Sequence, residues 1–188
     1  AASPRVAVVG APTGAEADAS SLSIAFATRA SYRDEAHTLL DSLRMFHEGA
    51  IAIVHGEGPD AAVTHAAIRA EAIARNTALA FDGSAAQWQT RDLRAAKIGA
   101  VIVSGDALGV ATVVRHTRKV SPQSWLLAFS TVDYRNLFEL SGSVASGMFI
   151  AQVVPPPGKT IHAFQREHRA LMKQYRDEPP SQHTLEGF

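Results

Sequence analysis

Between Ser31 and Val153 the sequence repeats one pattern: a short apolar run, then a longer amphipathic stretch. The runs are "AIAIVH", "TALAFDG", "GAVIVSG", "SWLLAFS" and "GMFIAQVV". Apolar runs of this length, without polar alternation, belong to strands covered on both faces. Strands joined through helices pair in parallel, and right-handed crossovers place the helices on both faces of the sheet. The pattern predicts an α/β fold with a doubly wound, flavodoxin-like parallel sheet. Ile51, Ile53, Val101, Val103, Leu127, Phe129 and Phe149 are its expected core. The first helix is expected in "SYRDEAHTLLDSLRMF", where Ala36, Leu39, Leu40, Leu43 and Phe46 share one face, and a later helix is expected in "WQTRDLRAAKI".

The ends do not fit this unit. "RVAVVG" reads as a buried strand that empties into the loop "APTGAEAD", and "SLSIAFATRAS" as a second extended stretch. After "PPPG", a last helix is expected from Thr160 to Tyr175. The organisation is therefore read as residues 1–28, a partial strand, loop and crossover; 29–153, a complete α/β lobe; and 154–188, a return crossover and partial helix.

Charge and composition exclude several partners. Lys plus Arg balance Asp plus Glu at 18 each, so no basic field exists to hold nucleic acid. The lack of cysteine rules out disulfides and thiolate chemistry. No apolar run is long enough to span a bilayer, and the first residues lack the layout of a signal peptide.

Catalytic motifs are missing as well. There is no G-x-S-x-G, no H-E-x-x-H and no G-x-G-x-x-G after a strand, and "GAPTG" lacks the lysine of a phosphate loop. His55, at a strand end beside Glu57, is the one placement that suits a catalytic base. Solvated helix positions account for the other histidines. The reading is that the chain is not an enzyme and needs no cofactor or metal.

Several stretches, in order, resemble the periplasmic solute-binding proteins of the leucine/isoleucine/valine-binding type, which serve ABC transporters. They are "VVGAPTGAEA", "FATRASYRDEA", "AIAIVHGEGPD", "GAVIVSGDALGVATVVRHTRK", "LLAFSTVD", "AQVVPPP" and "LEGF". The resemblance implies a type I periplasmic binding fold of two lobes with a small carboxylate-bearing solute between them. It further implies a membrane permease as partner and a periplasmic location. Against that family the chain starts partway through the first lobe and stops before its last helix. A ligand-sensing regulatory domain on the same fold is the alternative.

The resemblance also assigns residues. Ala11, Thr13 and Gly14 fall in the loop that holds the ligand carboxylate, where amides at a helix start and a hydroxyl favour an anion. Thr13 can serve equally as a helix cap. Arg29 and Tyr32 lie at the crossing between lobes, next to Ser31, which reads as an N-cap followed by Asp34 and Glu35. On the second-lobe side the chain departs from the amino-acid binders. Asp60 and Asp106 stand where aromatics are common, and Ser130 or Thr131 where an acid pairs with the ligand ammonium. Asp60 and Asp106 are read either as cation partners or as helix starts. Finally, Val6 to Val9 and the helix bearing Ile161, Phe164, Leu171 and Tyr175 lack their family neighbours, and a homodimer through these terminal segments is expected.

Overall fold

The computed structural model describes residues 7–9, 14, 24–26, 29–46, 49–91, 97–156, 158–175 and 179–186. Two compact units divide the chain: Ser31–Ala151, and Ala1–Ala30 together with Gln152–Phe188.

The Ser31–Ala151 unit is a five-stranded, all-parallel sheet with helices α1 (Tyr32–Arg44), α2 (Ala61–Ala74), α3 (Ala85–Thr90), α4 (Ala107–Val120) and α5 (Tyr134–Ser141). Its strands are β3 (Ile51–His55), β4 (Leu79–Ser84), β5 (Ala100–Ser104), β6 (Trp125–Ala128) and β7 (Phe149–Ile150), in the order β4-β3-β5-β6-β7. All five residues of the central strand β5 are buried, as a strand covered on both faces requires. Ala52, Val54, Val101, Val103, Leu126 and Ala128 turn one face toward Trp88, Val110, Val113, Val114 and Leu137. By the two-residue period of a strand, the buried Ile51, Ile53, Ile102 and Leu127 line the opposite face.

Local chemistry fixes the helix starts. Ser31 accepts a bond from the Asp34 amide at 3.2 Å while Asp34 accepts one from the Ser31 amide at 3.0 Å, a reciprocal capping box. The serine bonds hold the Asp34 carboxyl below the usual carboxylate range. Ser84 and Gln87 form a second box at α3. Ala36, Leu39, Leu40 and Leu43 are buried on α1 as their spacing predicts.

Three expectations need correction. Phe149 is not core: β7 is a two-residue strand at the sheet edge, and the ring is 38% exposed. It stacks on Phe46, with ring centroids 5.4 Å apart, and tilts against Trp125 at 5.5 Å. Phe46 lies beyond the last turn of α1 and shares that rim instead of the helix's buried face. The helix expected across "WQTRDLRAAKI" is the short α3, and residues 92–96 of that stretch lie outside the described residues.

The second unit contains β1 (Ala7–Val9), β2 (Ile24–Phe26), α6 (Ala163–Tyr175) and α7 (Gln182–Glu186). β1 and β2 pair in parallel, Ala7 with Ile24 through Val9 with Phe26, so the strand expected to stand alone has a partner within the chain. α6 begins at Ala163, three residues later than expected, where the Gln165 side chain accepts the His162 amide at 2.9 Å. Gln165, His168 and Met172 are buried on it, whereas Ile161 just before it and Phe164, Leu171 and Tyr175 on it are exposed.

Candidate functional site

In a parallel α/β sheet the loops that follow the strands' carboxyl ends converge on one rim, which is where such folds take ligands. In the Ser31–Ala151 unit these loops are Gly56–Asp60 after β3, Gly105–Asp106 after β5 and Phe129–Asp133 after β6. Backbone bonds join the first two. The Gly56 amide donates to the Ser104 carbonyl at 2.7 Å, and the Asp106 amide donates to the Glu57 carbonyl at 2.8 Å. The approach is so close that a Cβ on Gly105, whose φ is +138°, would lie 2.8 Å from the Glu57 oxygen. The Thr131 hydroxyl reaches the Gly105 carbonyl at 3.4 Å and brings in the third loop.

The Ser130 hydroxyl and amide both donate to the Glu35 carboxylate, at 2.8 and 2.9 Å, one to each oxygen. Glu35 is 4% exposed. Sequence reasoning treated it only as an acid in the first turn of α1. The available signal was its position, one turn before Leu39 on the buried stripe, where an acid requires donors.

Asp106 caps α4: its Oδ1 accepts the Gly109 amide at 2.8 Å, which realises the helix-start reading. Asp60 occupies the N-cap position of α2 without a side-chain cap bond. Its carboxylate is half-buried at the rim and is not spent on its own helix. Tyr32 is 2% exposed and meets the Phe129 ring edge-on at 6.4 Å. In the other unit, Arg29 donates to Glu186 at 3.3 Å, so at least one of its nitrogens is engaged by an acid of the chain itself. Ala11 and Thr13 lie outside the described residues. Gly14 is buried.

His55 meets the ring of His65 edge-on at 4.9 Å, and His65 Nε2 lies 2.7 Å from Asp82 Oδ1. Arg69 donates to the other oxygen of Asp82 at 2.6 Å. Burial pushes the Asp82 carboxyl up, but the bonds from Arg69 and His65 outweigh it and hold it below its ordinary value. Among the described residues no group of three or more His, Asp and Glu side chains is placed to hold a metal ion. No helix among them is long and apolar enough to cross a membrane. A cavity of about 610 Å³, lined in part by Leu40, Leu43, Arg44, Ile51 and Arg75, opens at the amino end of the same sheet, away from these loops.

Fold and rim together define the type I periplasmic binding fold. Solved structures show the likeness directly. A substrate-binding periplasmic protein of Ralstonia solanacearum superposes with a TM-score of 0.76 at 25% identity over 98% of this chain and 54% of its own. An extracellular ligand-binding receptor of Verminephrobacter eiseniae gives 0.71 at 21% identity over 87% of this chain and 49% of its own. A branched-chain amino-acid ABC transporter protein of Thermus thermophilus, solved with bound valine, gives 0.66 at 17% identity over 86% and 46%. The chain thus spans about half the length of the structures it matches. No protein-family model and no curated protein matches its sequence.

Proposed function

We propose that the chain is a solute-binding component of an ABC transporter, placed outside the cytoplasm, and that the carboxyl-end rim of the Ser31–Ala151 unit forms one wall of its solute site. The observation that carries this reading is the likeness to the Ralstonia solanacearum substrate-binding protein across 98% of the chain. The solute is a small carboxylate-bearing molecule, an amino acid or a related organic acid. Ala11, Thr13 and Gly14 take its carboxylate. Asp60 is the cation partner best supported on the rim, because its carboxylate is not consumed by capping, with Asp106 and Ser130 beside it. Arg29 and Tyr32 are weaker, one engaged by Glu186 and the other buried. A membrane permease receives the solute. The exposed apolar residues of α6 support association of two copies through the terminal segments.

The test is calorimetric titration of the intact chain with the twenty amino acids and a set of short organic acids. Saturable binding of at least one, weakened at least tenfold by Asp60→Asn, is expected. Absence of binding across the whole set would overturn the reading.

A further inference from the structure

We infer that Glu35 is the positioning residue of this rim: its carboxylate sets Ser130, and through Ser130 the three loops that face the solute. The inference rests on the carboxyl-end rim being the solute wall. Ser130 is 95 residues away in sequence and offers its only two donors, amide and hydroxyl, to the two oxygens of one carboxylate. That pairing fixes both the backbone and the side-chain rotamer of the second residue beyond the β6 strand end. The next residue, Thr131, bonds the Gly105 carbonyl, and Asp106 bonds the Glu57 carbonyl, so the restraint passes from α1 to the loops after β6, β5 and β3 in turn. The Gly105 and Gly109 backbones leave no slack in this stack, since a Cβ on either would come within 2.9 Å of Glu57 backbone atoms. The Glu35 carboxylate is buried, where a group without donors is costly, so its geometry is dictated by Ser130 as much as it dictates Ser130.

Two substitutions separate positioning from charge. Glu35→Gln keeps the length: its amide oxygen accepts the Ser130 N–H while its NH₂ donates to the Ser130 hydroxyl, which can turn to accept. Glu35→Asp keeps the charge but is one methylene too short to reach. Hydrogen exchange of the intact chain, measured over peptides covering 56–60, 104–107 and 129–133, is the readout. Glu35→Asp is expected to raise exchange in all three loops about tenfold, and Glu35→Gln to stay within about twofold of the parent, with the β3 and β5 strand amides unchanged in both. The opposite ranking, no change in either, or loosening that spreads equally into the strands would overturn the inference. Should Glu35→Asp not fold, Ser130→Ala, which removes one of the two bonds, is expected to raise exchange in the same three loops by a smaller factor, and a silent Ser130→Ala would overturn it. These measurements need no solute. A chain that binds nothing would sink the functional reading while the exchange pattern still decides the clamp.

Discussion

The indole N–H of Trp88, on α3, donates to the Thr117 hydroxyl, on α4, at 2.9 Å in the fully buried interior of the sheet unit. The hydroxyl in turn donates to the Val113 carbonyl one turn earlier on α4. The bond holds the shortest helix of the unit to one of its longest. Thr117→Val keeps the shape but strands the indole N–H, so a loss of about 1–3 kcal/mol is expected in urea unfolding, with Thr117→Ser near the parent. A Thr117→Val midpoint equal to the parent's would contradict this.

Val103, on the central strand, is fully buried among Val101, Val110 and Leu126. Val103→Asp puts a charge into that apolar cluster. A cost of several kcal/mol, enough to abolish the cooperative transition, is expected by circular dichroism. A parent-like melt would mean that β5 is not the centre of the sheet.

Gly105 carries φ +138° beneath the Glu57 carbonyl. Gly105→Ala adds both backbone strain and a close contact, so a destabilisation of about 1–3 kcal/mol is expected. Exchange should rise around Gly56–Gly58, the segment that must move away. A neutral effect on both would show that the loops do not stack as described.

Acid dependence follows from the cluster at the far end of α2. Arg75 bonds Glu71 at 2.7 Å and also pairs with Asp41, and His37 adds a contact to Glu71 at 3.0 Å. The Arg75 bond, against the opposing effect of burial and with help from His37, holds the Glu71 carboxyl below its ordinary 4.5. A carboxyl lowered in the folded state contributes stability that is complete above its unfolded value and is lost as pH falls through the folded one. Unfolding free energy is therefore expected to decline as pH drops below about 4.5, with a shallower decline in Arg75→Met. Parallel curves for parent and variant would refute the assignment.

Association is tested by light scattering at micromolar concentration. A dimer mass for the intact chain, reduced to monomer by Phe164→Lys with Leu171→Lys, is expected from the exposed face of α6. A monomer mass for the parent would end that proposal.

The centre of the sheet was legible because β3, β5 and β6 are compact apolar runs, and burial on both faces needs no knowledge of partners. The α1 stripe was legible for the same reason, up to Leu43. Phe149 was misread as core because hydrophobicity alone does not say that a strand is two residues long and on the edge, and Phe46 was placed on the α1 face although the helix ends at Arg44. The rim was legible in place but not in detail. Asp60 and Asp106 both stand at helix starts, yet only the conformation before the helix decides which carboxylate turns back to cap: Asp106 is extended at ψ 175°, whereas Asp60 is already helical at ψ 0°. The Glu35–Ser130 pairing spans 95 residues, a distance at which no local periodicity carries information.

Both tryptophans of the chain, Trp88 and Trp125, belong to the Ser31–Ala151 unit, one fully buried and one at the aromatic rim with Phe46 and Phe149. Intrinsic tryptophan emission therefore arises in this unit alone. An unfolding curve followed by fluorescence reports one unit, whereas far-ultraviolet ellipticity reports both. Superimposable curves would mean that the two units melt as one cooperative body; an ellipticity change without an emission change would record the smaller unit dissolving on its own.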